Sequence, residues 1–224
     1  MDAIHFRVIL NIRIVHLITL DPSNPALAEA AAVLKSGGIV AYPTESFYAL
    51  GADALNPDAV AKVFEAKGRG AEKALPVIIH DKALIGEYIR DISPIAEKAV
   101  HRLMPGPVTL LFWAKDLFPT ELTGGTGKIA IRVPEHPIAA GLARAFGGPV
   151  TATSANLSGL PGLTEPSEIA ELFKGQVDLV LDFGPTSGPP TSTLVDVTAE
   201  TPVVLREGRL GKSAVESALG TVKP

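Results

Sequence analysis

The chain of 224 residues contains no cysteine, which excludes disulfide bonds, a thiol nucleophile and a cysteine-ligated zinc site. Aromatic residues are also scarce, at 5%, whereas hydrophobic residues reach 46%. We therefore expect an aliphatic core rather than an aromatic-rich binding module. The formal net charge is −4, so we do not expect a protein that binds nucleic acid over its whole surface. A local basic patch is compatible with this charge.

Long hydrophobic runs are missing as well, and no stretch is long and apolar enough to cross a membrane. Residues 1–20 are apolar, but charged and histidine side chains interrupt them and no small-residue cleavage site follows. This pattern is not typical of a signal peptide. We predict one or two short strands there, or an extension ahead of the domain, in a soluble protein located in the cytoplasm.

Patterns of helix and strand alternate along the rest of the chain, and no repeat or low-complexity linker divides it. Capping residues and prolines open the helix patterns and glycines close them. This predicts an α/β fold in one domain, with a twisted mixed β-sheet flanked by helices and a loop over 184–190. Helices are predicted from 25 to the glycines at 37–38, from 57 to 68, from 94 to about 105, and over 137–146, 167–173 and 213–219. Strands are predicted over 39–42, 75–80, 108–114, 129–133, 149–153, 177–181, 193–197 and 203–206.

Two glycine-rich segments resemble phosphate-binding loops only in part. Residues 208–213 contain Gly-Lys-Ser, but Arg206 stands where a P-loop needs glycine. In residues 124–128, Lys128 is followed by Ile129 rather than by Ser or Thr. Both segments fail as P-loops, and the second favours a plain turn, with backbone N–H donors to an anion as the alternative.

Metal and nucleophile motifs are absent from the sequence. The histidines show no metal-ligand spacing, so no metal centre is predicted. Ser154 follows Ala152 at the position where a nucleophile elbow needs glycine. We therefore interpret Ser154 as a hydrogen-bonding residue.

Four basic residues are candidates for an anion site. Lys67 and Arg69 follow the end of a helix pattern, where solvated cations are common. Arg132 lies within an apolar strand pattern and Arg206 ends another, and an arginine is costly to bury unless it meets an anion or lines a cleft. The residues alone leave a convergent anion site and separate solvated cations about equally open.

Short motifs follow one another in a defined order. They are GGIVAYPTESFYALGADAL at 37–55, KGR at 67–69, PGPVT at 105–109, IRVP at 131–134, SAN at 154–156 and ST at 192–193. This ordered set resembles the YrdC-like family, whose best-known members are threonylcarbamoyl-AMP synthases. The resemblance runs from about residue 18 to residue 209.

The resemblance implies a YrdC-like domain over 18–210 folded around a basic cavity, with 1–17 as an N-terminal extension and 211–224 as a C-terminal helix or tail. In the family, the KxR and SxN motifs line this cavity and hold ATP beside the amino acid. The resemblance implies that Lys67 and Arg69 are the catalytic residues. The implied ATP-binding residues are Lys67, Arg69, Lys128, Ser154, Asn156 and Arg206. The implied threonine-binding residues are Ser46, Arg132, Ala152 and Ser192.

The implied reaction converts L-threonine, bicarbonate or CO2, and ATP carrying Mg2+ into threonylcarbamoyl-adenylate and pyrophosphate. Such a nucleotidyltransferase serves tRNA threonylcarbamoyladenosine modification, so proteins of a tRNA-threonylcarbamoyl transferase complex are implied partners. Two alternatives stay open. Ser46, Ala49 and Ile78 differ from the usual family residues, which favours an ATP-using paralogue acting on another amine. A double-stranded-RNA or tRNA-binding protein of the same fold is the second, although scarce aromatics disfavour it.

Overall fold

The computed structural model describes residues 6–9, 12–16, 25–70 and 73–223. In these ranges, no helix has the length and apolar character needed to span a bilayer. The predicted boundary between residues 17 and 18 lies outside the described residues and stays a prediction.

Caps in the sequence set the ends of several helices. Asn56 accepts hydrogen bonds from the backbone N–H groups of Asp58 and Ala59, and Gly68 ends the same helix at φ 54°. Asn side chains suit the first position because they satisfy free N–H groups, and glycine suits the second because it adopts a left-handed conformation. The helices are α1 (Pro25–Lys35), α2 (Pro57–Lys67), α3 (Ile85–Tyr88), α4 (Pro94–Leu103), α5 (Pro137–Phe146), α6 (Pro166–Leu172) and α7 (Lys212–Leu219).

The strands divide into two mixed sheets in the described part of the chain. The strands are β1 (Phe6–Ile9), β2 (Ile12–His16), β3 (Val40–Pro43), β4 (Tyr48–Gly51), β5 (Val77–Ile78), β6 (Val108–Trp113), β7 (Lys128–Arg132), β8 (Val150–Thr151), β9 (Thr153–Ser154), β10 (Leu179–Asp182), β11 (Thr193–Asp196) and β12 (Val203–Arg206). The first sheet has the order β1-β2-β10-β3-β4-β9 and the second β12-β11-β6-β7-β5-β8. The predicted mixed α/β class is thus confirmed, with the strands distributed over two sheets.

The chain passes from one sheet to the other at Ala152. The prediction of a single strand over 149–153 is wrong, because β8 pairs with β5 in the second sheet and β9 pairs with β4 in the first. The backbone N–H of Ala152, between them, donates to the carbonyl of Pro76 at 2.8 Å. This crossing brings the edges of both sheets together.

The strand predicted over 75–80 is also shorter than expected. Only Val77 and Ile78 pair as strand, since Pro76 has no N–H to give to a ladder and the N–H of Leu75 donates outside the sheet, to Leu122. The short strand leaves 73–76 as an irregular segment ahead of β5.

Two clusters of buried side chains support the sheets. One lies between α1 and α5 and the face of the first sheet that carries Val40 and Tyr42. The other, larger cluster contains side chains of both sheets and of α2, α4, α6 and α7. The core is dominated by Ala, Val, Ile and Leu, as the composition predicts.

Candidate functional site

A cavity of about 640 Å³ opens where the two sheets meet. This volume lies within the usual range of small-molecule sites. Its walls come from β4 and β9 of the first sheet and from β5, β6, β7, β11 and β12 of the second. The polar side chains in the lining are those of Thr44, Glu45, Ser46, Tyr48, Arg69, Thr109, Thr126, Lys128, Arg132, Thr153, Ser154, Thr191, Ser192 and Arg206.

Positive charge dominates this lining. Arg69, Lys128, Arg132 and Arg206 line the cavity, whereas Glu45 is the one carboxylate among the lining residues that the structure describes. Arginines and lysines close together repel one another and so favour a bound anion. The arrangement suits a ligand with several negative charges, and the hydroxyl groups around it can donate further hydrogen bonds.

Arg69 is held at the wall by the turn that follows it. Its Nε donates to the carbonyl of Lys73 at 3.2 Å and its Nη2 to the carbonyl of Ala74 at 3.0 Å. These bonds fix the guanidinium plane against the chain just before β5. The side chain is therefore oriented by the protein backbone itself.

Arg206 and Ser192 form a second polar group on the wall. Nη2 of Arg206 donates to the carbonyl of Ser192 at 2.9 Å, and the Ser192 hydroxyl lies 2.9 Å from that of Thr109. Arg206 as a whole remains exposed, but desolvation of its guanidinium at the cavity wall lowers the pKa of that group from its ordinary value. The cation is thus partly withdrawn from water, and a bound anion would compensate that desolvation.

Lys128 already has two partners. Its Nζ lies 2.8 Å from Oδ2 of Asp196 and 4.8 Å from the ring centroid of Trp113. Burial alone would raise the pKa of Asp196, but hydrogen bonds from Lys128 and Thr198 lower it below its ordinary value. The Lys128 ammonium is therefore held near the wall by an ionised carboxylate and a half-exposed indole.

Arg132 faces Glu45 across the cavity lining. Its Nη2 lies 2.7 Å from Oε2 of Glu45, and the two side chains are only 12% and 17% exposed. Both atoms are buried without a hydrogen bond, so this is a charge contact outside hydrogen-bond geometry. Nε of Arg132 also donates to the carbonyl of Gly106 at 3.1 Å. The other carboxylate oxygen of Glu45 accepts from the N–H groups of Glu135 and His136.

Lys67 lies behind the wall, only 1% exposed. Its Nζ donates to the carbonyls of Ser154 and Asn156 and to the Asn156 side-chain oxygen. Burial, with a smaller effect of the Arg69 charge, lowers the pKa of Lys67 to about 8. An ammonium has three donors, and all three are used to shape the turn at 154–156.

Asn156 is likewise buried, and its Nδ2 donates to the carbonyls of Leu157 and Leu160. Its side-chain oxygen accepts from the Ser154 hydroxyl. Ser154 is thus held in place on the cavity wall by a neighbour that does not reach the cavity itself.

Eight of the ten residues that the sequence singled out line the cavity. Lys67 and Asn156 do not line it, because the side chains of both form hydrogen bonds in and around the turn at 154–156. Glu45 was missed, although it is one of only two acidic residues within the 37–55 motif, the other being Asp53. Lining residues from the predicted set are Ser46, Arg69, Lys128, Arg132, Ala152, Ser154, Ser192 and Arg206.

The glycine-rich segment 124–128 is a turn at the cavity rim. The N–H groups of Gly124, Gly125 and Thr126 donate to carbonyls within 120–123. The plain turn is confirmed, since these amides are taken by the turn itself. Thr126 and Lys128 remain in contact with the cavity.

Comparison with known proteins relates this architecture to one family. The Sua5/YciO/YrdC family model, described as "Telomere recombination", matches residues 32–208. Threonylcarbamoyl-AMP synthase of Bacillus subtilis is 38% identical over 204 residues, which cover 91% of this chain and 59% of that protein. The enzyme of the same name from Pyrococcus abyssi is 38% identical over 194 residues, covering 87% of this chain and 57% of that protein.

Solved structures agree with the sequence comparison. The crystal structure of P. abyssi Sua5 complexed with L-threonine superimposes with a TM-score of 0.87 at 35% identity, covering 94% of this chain and 62% of that one. The chain thus spans less than two thirds of the length of these relatives.

Proposed function

The chain belongs to the Sua5/YciO/YrdC family, and from this premise we propose that it is a threonylcarbamoyl-AMP synthase. The observation that carries the proposal is the cavity between the sheets, with four cationic side chains and a row of hydroxyl groups in its lining. The substrates are L-threonine, bicarbonate or CO2, and ATP. The products are threonylcarbamoyl-adenylate and pyrophosphate.

The phosphate side of the proposed site contains Arg69, Lys128, Ser154 and Arg206. Their charges suit a triphosphate, because a guanidinium offers a fork of donors and an ammonium offers a compact charge. Lys67 and Asn156 support this side from behind by holding Ser154 in position.

Magnesium enters as part of the substrate MgATP in this proposal. The ranges that the structure describes hold no group of three or more His, Cys, Asp or Glu side chains able to hold a metal ion, and phosphate oxygens are ligands that Mg2+ prefers. When bound, the ion neutralises phosphate charge.

The amino-acid side contains Ser46, Arg132, Ala152 and Ser192. Arg132 meets the threonine carboxylate, for which a guanidinium is a suited partner. The Glu45 carboxylate now beside Arg132 competes for the same charge, so it sets the orientation of the guanidinium and moderates its affinity.

Catalysis in this proposal is positioning and charge stabilisation, without a covalent enzyme intermediate. The threonine amine takes up CO2 as a carbamate and releases a proton. A carbamate oxygen then attacks the α-phosphorus of ATP, the bond to the bridging oxygen breaks, and pyrophosphate leaves with the electron pair. Arg69 and Arg206 stabilise the charge that accumulates on the phosphates.

The adenylate is then used by a tRNA-threonylcarbamoyl transferase complex, which makes such proteins, and tRNA itself, the proposed partners. The proposed compartment is the cytoplasm, because the adenylate has to be made where tRNA is modified.

A pyrophosphate-release assay with ATP and bicarbonate tests the proposal, with threonine compared against other amines and against none. We expect threonine-dependent release. The Arg69→Ala variant should lose about 2–5 kcal/mol of transition-state stabilisation, measured as kcat/KM. Absence of release with every amine, despite ATP binding, would contradict the proposal and make steep, salt-dependent binding of double-stranded RNA the next measurement.

A second candidate is a synthase of the same chemistry with another amine. The supporting observation is that the apolar side chains of Ile78 and Ala139 line the cavity together with Ser46 and Arg132. Release that depends on a larger apolar amino acid rather than on threonine would favour this version.

A further inference from the structure

Arg209, just after β12, joins three segments that border the cavity. Its Nη2 donates to the carbonyl of Glu45 at 2.7 Å and to the Ser187 hydroxyl at 3.1 Å. Its backbone N–H donates to the carbonyl of Thr191 at 2.7 Å. Glu45 and Thr191 line the cavity but Arg209 does not, so it acts on the wall from outside.

The loop at 184–190 donates hydrogen bonds to the backbone carbonyls of Glu45 and Ser46. The Ser187 hydroxyl donates to the carbonyl of Glu45 at 2.6 Å, and the N–H of Gly188 donates to the carbonyl of Ser46 at 2.8 Å. Arg209 therefore completes a set of bonds that fixes the backbone of Glu45 and Ser46.

The position of that backbone matters because the Glu45 side chain reaches Arg132. One carboxylate oxygen lies 2.7 Å from Nη2 of Arg132, and the other accepts from the N–H groups of Glu135 and His136 at the start of α5. A shift of the Glu45 backbone would move the carboxylate, and the buried guanidinium would follow it.

Two residues of the phosphate side are held independently of these bonds. Arg69 is fixed by the carbonyls of Lys73 and Ala74, and Ser154 is fixed by Asn156. Arg206 is held by the carbonyl of Ser192, next to Thr191, whose carbonyl accepts from the backbone N–H of Arg209, a bond that a change of the Arg209 side chain keeps. Such a change should thus act mainly on the amino-acid side of the cavity.

We propose that Arg209 is a positioning residue for the amino-acid side of the cavity, acting through Glu45 on Arg132 and Ser46. The inference rests on the proposed function for its kinetic readout. An arginine suits the task because its planar guanidinium holds its donors in a fixed fork, whereas the ammonium of a lysine rotates at the end of a flexible stem.

Kinetics of pyrophosphate release test this with Arg209→Ala, Arg209→Lys and Ser187→Ala. The matched control is Arg90→Ala, which removes an exposed arginine that also bonds a carbonyl, that of Ala114, and a second side chain, that of Asp116. We expect Arg209→Ala to raise the KM for the amino acid about fivefold and to leave the KM for ATP within about twofold. Arg209→Lys should restore part of the loss, and Arg90→Ala should change neither constant.

Equal rises in both KM values, or none, would overturn the inference while leaving the proposed synthase intact. If the wild-type chain turns over no amine, the proposed function fails, and hydrogen exchange decides the inference separately. Arg209→Ala should then speed amide exchange in 44–48 and 184–190 relative to Arg90→Ala. Unchanged exchange in both segments would refute the positioning role.

Discussion

The regions around Lys67 and Arg69 use positive charge in opposite ways, although the two residues are only two positions apart. Lys67 is buried and gives its donors to the carbonyls of Ser154 and Asn156 and to the Asn156 amide. Arg69 lines the cavity and is held there by two carbonyls of the next turn. A cation behind the wall shapes the wall, whereas a cation on the wall can meet the ligand. Within one three-residue motif, we therefore expect Lys67 to contribute to the stability of the fold and Arg69 to ligand binding.

Replacing Lys67 by Met should produce the largest change, a loss of stability that Arg69→Ala does not share. Two carbonyls and one amide oxygen would lose their donor in a buried place, so we expect a loss of about 3 kcal/mol in the free energy of unfolding. Urea denaturation measures it. Arg69→Ala is the matched variant and should change that free energy by about 0.5 kcal/mol or less. A Lys67→Met protein as stable as Arg69→Ala would show that the buried contacts contribute nothing.

The stability contributed by Lys67 should also depend on pH. Burial, and secondarily the charge of Arg69, lowers the pKa of Lys67 from 10.5 to about 8. Between these two values the unfolded chain keeps a proton at residue 67 that the folded chain has released. Stability contributed by this group therefore rises with pH in that window, by at most about 1.4 kcal/mol per pH unit.

The unfolding free energies of wild type and Lys67→Met, measured below pH 8 and again between pH 8 and 10.5, provide the check. The gap between the two proteins should widen as the pH rises. A gap that narrows would mean that the carbonyls stabilise the charged ammonium more than burial penalises it.

The smallest effect is expected at Lys128, which lines the cavity and also contacts Asp196 and Trp113. Trp113→Leu removes the ring 4.8 Å from the Lys128 ammonium, an interaction worth about 0.5–1 kcal/mol. We expect the KM for ATP to rise about two- to fivefold, while Trp113→Phe keeps an aromatic face and most of the affinity. No change in Trp113→Leu would indicate that Asp196 alone positions Lys128.

The sequence predicted the parts of the molecule that depend on local chemistry. Asn56 and Gly68 bound α2 as expected, because capping needs only the residues next to it. Eight of the ten residues that the family resemblance implied line the cavity. The direction of the Lys67 side chain could not be predicted, because a residue at the end of a helix can point toward the core or toward the cavity. The direction is set by hydrogen-bond acceptors at 154–156, which are distant in sequence.

Long-range pairing explains the other differences. Nothing in Val150 or Thr153 shows that their strands belong to different sheets, because the partners lie far away in β5 and β4. β4 itself escaped prediction, as four residues that end in glycine show little strand periodicity. The ion pair of Glu45 with Arg132 joins residues that only the folded sheets bring together.

The crossing at Ala152 also bears on how the protein is made. The cavity takes its lining from segments that begin at Thr44 and end at Arg206, so no contiguous half of the chain contains a complete site. During synthesis the ribosome must release the chain through residue 206 before Ser192 and Arg206 can close the wall. Folding of the domain and assembly of the cavity are then nearly one event, and a ligand that fills the cavity stabilises the whole domain against unfolding.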